Sequence, residues 1–242
     1  MTAFLFLTRL PMPALKDYRD QDSGRAFSLF PLVGLSLGVI MTSSALWLQG
    51  HLPHDVIAAI ILLLWILLSG GLHLDGLGDS ADGWLAGGNT ERTLEIMKDP
   101  RSGSAAVIVI GATLLIKFAA LNNIIAEQQW WALALAPMFA RAMALTLFLT
   151  TPYVSPQGIA KQFLQYANRR HMRLAVAAAT LITLLFLELY TALWAISLCL
   201  GVFIALRHLM IRRLGGTTGD TSGALIEWTE AAFLIGCLLL SS

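Results

Sequence analysis

Charge is what this sequence has least of. Asp, Glu, Lys and Arg make up 13% of its 242 residues, against about 25% in an ordinary soluble domain. Residues 26–54 contain none of the four, and neither do residues 56–74. Runs this long and apolar exclude a water-soluble globular domain, because about 20 such residues suffice to cross a bilayer. The net charge of +1 excludes an electrostatic nucleic-acid binder. There are two cysteines, Cys199 and Cys237, both inside apolar runs, where they act as small hydrophobes and not as a disulfide framework. No internal repeat or low-complexity linker divides the chain, so residues 1–242 read as a single membrane-embedded domain. The opening MTAFLFLTRLPMP is apolar but lacks a preceding basic region and a following small-residue cleavage site. It reads as a retained interfacial segment.

What the chain does have is hydrophobic length, with 57% of its residues apolar. Besides 26–54 and 56–74, the stretches 104–126, 130–150 and 222–241 are long enough to span, and 174–206 is broken near Glu188 into two shorter pieces. The expectation is an all-α, polytopic membrane helix bundle of about seven spans. With the N-terminus inside, segments 1–25, 73–103, 152–173 and 207–221 hold every Lys and Arg except Lys117 and Arg141. The short turns on the other side carry Asp55, Glu127 and Glu188 and no basic residue. That asymmetry places the polar segments, and a polar pocket among them, in the cytoplasm.

The stretch LHLDGLGDSADGWLAGG, residues 72–88, then stands out. Asp75, Asp79 and Asp82 recur at i, i+4 and i+7, which puts them on one face of a helix. Like charges so placed repel, and at a membrane edge each must find a partner or a proton. A divalent cation resolves the conflict, since Mg²⁺ takes hard oxygen ligands and completes its shell with water and substrate phosphate. The interleaved glycines let a bulky ligand approach the backbone. A water-facing acidic loop is the plainer alternative. His73, two residues before Asp75, is a weaker candidate as base or ligand.

Two further segments carry chemistry. In MKDPRSGS, residues 97–104, Lys98 and Arg101 are suited to phosphate, Ser102 or Ser104 can cap the next helix, and Asp99 adds a fourth carboxylate. In GGTTGDTSGALIEWTE, residues 215–230, the glycine- and threonine-rich part around Thr218 can wrap phosphate or ribose with backbone N–H groups. Asp220, Glu227 and Glu230 follow on one helical face, and a span starting near Ser222 draws both glutamates inward. Arg141, in the middle of an apolar run, requires an acidic or phosphate partner inside the bundle. An acidic, cytoplasm-facing pocket rimmed by Lys and Arg suits phosphoryl or phosphodiester transfer.

Several stretches together resemble the cobalamin synthase family, the adenosylcobinamide-GDP ribazoletransferases: FLTRLPMP, RAFSLFPLVG (which contains Arg25), GGLHLDGLGDSADGW, MKDPRSGS, ARAM and LGGTTGDTSGALIEWTE. The resemblance runs in order along nearly the whole chain. It implies a bacterial inner-membrane enzyme that joins adenosylcobinamide-GDP to α-ribazole or its 5′-phosphate, with Mg²⁺, and releases GMP. By the same resemblance Asp75, Asp79, Asp82 and Asp99 hold the metal. Asp82 is the first choice of proton acceptor, with Asp79 and His73 beside it. Lys98, Arg101, Ser102, Arg141, Arg25, Thr218, Asp220, Glu227 and Glu230 contact substrate. The implied partners are those two small molecules and the lipid bilayer, with a homo-oligomer or other corrinoid-assembly enzymes as protein partners.

Other readings stay open from the motifs. Residues 79–86, DSADGWLA, begin the CDP-alcohol phosphotransferase pattern, but Gly87 stands where that pattern has arginine and the later aspartates are missing. DGLGD is also a short prenyltransferase-like motif. A transporter would place its acids near mid-membrane rather than at one edge.

Overall fold

The computed structural model describes residues 2–11, 24, 26–155 and 159–239. Its helices are α1 (Thr2–Leu7), α2 (Phe30–Leu48), α3 (His54–Ser69), α4 (Leu72–Leu85), α5 (Thr90–Ile96), α6 (Ser104–Ala126), α7 (Trp130–Thr150), α8 (Ile159–Gln165), α9 (Arg169–Phe186), α10 (Leu189–Leu214) and α11 (Gly219–Leu238). No strand forms among the described residues; the exceptions to helix and loop are two isolated bridges, Gln49–Leu52 and Tyr153–Thr217.

The charge-free runs become the long helices. α7 is the axis of the bundle, with 89% of its most apolar 18-residue stretch buried, whereas α10 buries 17% and presents its face outward. α7 packs along α2, α9 and α11, and α11 in turn packs along α4, α6 and α10. The outward faces carry Leu63, Leu67, Ile108, Leu115, Leu185 and Ile204, all exposed, a surface that suits lipid and not water.

Four helices, α2, α6, α7 and α10, are long and apolar enough to cross a membrane, or five if the bent pair α3–α4 is counted as one. The expected count of about seven also needs α9 and α11. α9 begins with the basic run RRHMR and α11 carries Asp220, Glu227 and Glu230, so neither meets that measure on composition alone.

Close approaches are bought with glycine. A Cβ on Gly38 would lie 1.9 Å from the Ala134 carbonyl oxygen, and one on Gly34 would lie 2.3 Å from that of Pro137, so α2 and α7 meet nearly backbone to backbone. Between α3 and α4 the chain turns by 87°. Gly70 and Gly71 make that turn at φ of 65° and 69°, a region that disfavours side chains. The turn is tied down by Arg9, whose N–H donates to the Leu68 carbonyl at 2.8 Å. α4 therefore leaves the line of α3 and lies against the start of α11.

Candidate functional site

Asp75 lies in the first turn of α4 and is exposed; Asp79 follows one turn on and is half-buried. Gly76, between them, faces the backbone of Asp220: a Cβ there would come within 2.7 Å of the Asp220 carbonyl oxygen. This contact brings the first turn of α11 to the acidic face of α4. Asp79 interacts electrostatically with Asp75, Asp220 and Asp82, and Asp220 with Asp75. Asp75, Asp79 and Asp220 thus bring two segments about 140 residues apart in sequence within electrostatic reach of each other. Beside them opens a cavity of about 210 Å³ whose polar wall is His73, Asp75, Tyr153, Ser155, Asp220 and Ser222.

Asp82, on the same helical face, has a different task. Its Oδ2 accepts from the Gly103 N–H at 2.6 Å and its Oδ1 from the Ala106 N–H at 2.9 Å. Both oxygens thus cap the N-terminus of α6, where the helix dipole favours a negative charge. Gly103 permits this, since a Cβ there would lie 2.5 Å from Asp82 Oδ1.

Asp99 is brought to Arg101: Oδ1 accepts from the Arg101 Nε at 2.9 Å and Oδ2 from Nη2 at 2.7 Å. These bonds hold the Asp99 carboxyl down at about 2. Lys98 and Ser102 are exposed in the same turn. Thr218 is buried and caps α11, its Oγ1 accepting from the Thr221 N–H at 3.2 Å while the Thr221 hydroxyl accepts from the Thr218 N–H at 2.9 Å. Arg25 lies outside the described residues.

Glu227, Glu230 and Arg141 do find partners inside the bundle: Arg141 and Glu230 pair with each other, and Glu227 pairs with the buried Lys117. Arg141 is fully buried and donates to Glu230 and to the Pro137 carbonyl. Lys117, on α6, donates to Glu227 at 2.6 Å and to Glu230 at 2.5 Å, and its ammonium sits 4.6 Å from the centre of the Trp65 ring. Two cations and two anions cancel within the core, joining α6, α7 and α11. Sequence reading left Lys117 without a role. The signal was available: a lysine amid an apolar run needs a carboxylate, and Glu227 and Glu230 were the span acids on hand. His73 adjoins this network, with Nδ1 3.5 Å from Arg141 Nη2.

Among the described residues no three Asp, Glu, His or Cys side chains converge as a ready-made metal cage. The carboxylates in the cavity wall are Asp75 and Asp220, which offer hard oxygens, with Asp79 within electrostatic reach of both. That set fits a cation of the Mg²⁺ type, which uses one or two carboxylates and leaves the remaining positions to water and phosphate.

Comparison with known proteins identifies the family. The family model for cobalamin-5-phosphate synthase matches residues 1–238. A protein of Pseudomonas fluorescens is 47% identical over 98% of this chain and 97% of its own length. One of Stutzerimonas stutzeri is 49% identical over 99% and 97%, and one of Pseudomonas entomophila 44% over 98% and 97%. Each of the three is named adenosylcobinamide-GDP ribazoletransferase. No solved structure matches.

Proposed function

The chain belongs to the cobalamin-5-phosphate synthase family, and from that membership we propose that it joins adenosylcobinamide-GDP to α-ribazole or its 5′-phosphate, releasing GMP. In this reaction a ribose hydroxyl attacks the corrinoid-side phosphorus of the diphosphate. A new P–O bond forms as the bond to the bridging oxygen breaks, and GMP carries that oxygen away. The CDP-alcohol, prenyl-transfer and transport readings have no support from the family match.

The observation that carries the proposal is the placing of Asp75 and Asp220 in one cavity wall, with Asp79 in electrostatic reach of both, in a chain of this family. Asp75 and Asp220 would hold Mg²⁺. Bound there, the ion would supply positive charge to the diphosphate oxygens. Asp79, which feels both of those carboxylates, would accept the hydroxyl proton. Asp82 shares the face, but its oxygens are already occupied by backbone donors, and its part is to fix α6 against α4. Lys98 and Arg101 would meet phosphate from the exposed 97–104 turn, Arg101 by exchanging its carboxylate partner Asp99 for substrate oxygens. The basic segments orient the site toward the cytoplasm, and for a bacterial protein the membrane would be the inner one.

The test is turnover by purified protein in liposomes, given adenosylcobinamide-GDP, α-ribazole phosphate and Mg²⁺, with GMP and the cobalamin product measured together. Product from the wild type and at least about a hundredfold less from Asp79→Asn is expected. No product from folded wild-type protein would reject the reaction. Undiminished product from the variant would reject the role of Asp79 alone.

A further inference from the structure

The cavity beside the carboxylates has two unlike halves. Besides its polar residues, the cavity is lined by Phe6, Leu7, Phe27, Phe30, Ala144 and Phe148. Phe27 stacks on Phe30 with centroids 4.8 Å apart, and Phe148 meets Phe27 edge-on at 5.2 Å. The result is a fixed aromatic lining drawn from α2, α7 and the turn before α2. Such a lining takes flat rings and offers no hydrogen bonds to their edges.

His73 adds a second observation. A guanidinium can only donate, so its contact with Arg141 Nη2 at 3.5 Å makes Nδ1 the accepting nitrogen and leaves the ring proton on Nε2. That Nε2 is buried without a partner. Six buried side-chain atoms are in that condition among the described residues, and His73 is the one of their residues that lines the cavity. A buried donor without an acceptor is costly, and an occupant of the cavity that reached this edge of the ring would relieve it.

We infer that this cavity is the acceptor subsite, holding the alkylated benzimidazole of α-ribazole between the phenylalanines and His73 Nε2–H. The inference rests on the transferase reading above. Three comparisons select this occupant. The corrinoid is far too large for about 210 Å³. Guanine, the other base in the reaction, carries an edge of N–H and C=O groups that the phenylalanines would strip of water and leave unpaired. A benzimidazole bearing methyl groups has an apolar edge and one ring nitrogen able to accept, which answers both halves of the cavity. With the base so held, its ribose falls on the side of Asp75 and Asp220, where the hydroxyl must react. His73 is thus a substrate-binding donor and not the base.

The experiment measures α-ribazole binding to the full-length protein in nanodiscs without donor substrate, with guanosine as competitor, alongside KM for each substrate. Ala144→Phe, which fills the apolar half, should raise both the Kd and the KM for α-ribazole at least tenfold and leave the KM for adenosylcobinamide-GDP within twofold. Should that variant fail to fold, Ser155→Phe crowds the same cavity from the loop and is held to the same standard. His73→Leu should weaken α-ribazole binding about tenfold, and His73→Gln, which keeps an N–H donor, should weaken it less. Displacement of α-ribazole by guanosine, a rise confined to the donor KM, or no change in a folded cavity-filling variant would overturn the assignment. Turnover intact with no such α-ribazole site rejects the subsite and keeps the reaction. Specific, variant-sensitive binding without turnover keeps the subsite and rejects the reaction.

Discussion

At the scale of the residue, Asp79 and Asp82 look alike in the sequence and differ in the fold. Both sit on the acidic face that the i, i+4, i+7 spacing specifies. One feels the carboxylates of Asp75 and Asp220; the other is tied by two backbone bonds to the start of α6. Asp82→Ala should therefore cost about 1 kcal/mol of stability through loss of the cap, read as a lowered Tm, with activity falling in step with folded protein. Asp79→Asn should leave Tm nearly unchanged and lower kcat. A turnover loss in Asp82→Asn at wild-type Tm would restore to Asp82 the chemical role that the motif suggested. Helical periodicity reports which residues share a face. It does not report which distant backbone N–H will reach a given oxygen, so the cap at Gly103 was not legible. Asp99 yields a pH prediction. Its carboxyl is held at about 2 by Arg101, so the charged form is favoured in the folded chain. That preference is present above the unfolded value of about 4 and is lost as pH falls through about 2. The pair should thus stay intact at any pH used for assay, and Arg101→Ala should let the Asp99 titration, followed by carboxyl ¹³C shifts, move up toward the ordinary range.

At the scale of the element, the helices are joined by two devices: small residues at crossings and a balanced set of buried charges. Removing one charge upsets the balance. Lys117→Met leaves Glu227 and Glu230 facing Arg141 alone, and breaking a buried pair in this way costs about 3–5 kcal/mol. Adding Glu227→Gln to it restores neutrality, and the double variant should recover much of the lost Tm; if it melts no higher than Lys117→Met, charge balance is not what the network provides. At the α2–α7 crossing, Gly38→Val should abolish folding or sharply lower expression, because the new Cβ meets the Ala134 carbonyl. Gly111→Ala, with open space around it, should be neutral or slightly stabilising by helix propensity. The long helices were legible because an apolar run of spanning length has few alternatives. The bend at Gly70–Gly71 and the packing of α4 on α11 were not, since they depend on contacts between distant segments. Arg141 was legible as needing an acidic or phosphate partner inside the bundle, and the partner it has is Glu230.

At the scale of the whole molecule, the bundle has two chemically different ends. At one, Arg9 bonds to the end of α3, Arg169 and Arg207 to carbonyls at the end of α7, and Arg213 to the Trp84 carbonyl of α4. At the other, Thr42 bonds to the Trp130 carbonyl and Trp131 packs on Phe186, near turns that hold Glu127 and Glu188 and no basic residue. The carboxylate site lies toward the basic end, with Asp220 six residues beyond the end of α10. The prediction is that this end faces the cytoplasm, because short basic loops resist translocation. Both native cysteines are buried, so a thiol introduced at the surface can be read without background. In intact spheroplasts, a membrane-impermeant maleimide should label Glu127→Cys and spare Ser102→Cys, which should react only after lysis. Ser102 shares the exposed turn with Lys98 and Arg101, so its side of the membrane is that of the proposed phosphate contacts. The reverse labelling would put those contacts outside, away from the cytoplasmic nucleotides, and the transferase reading would then lose its supply of substrate.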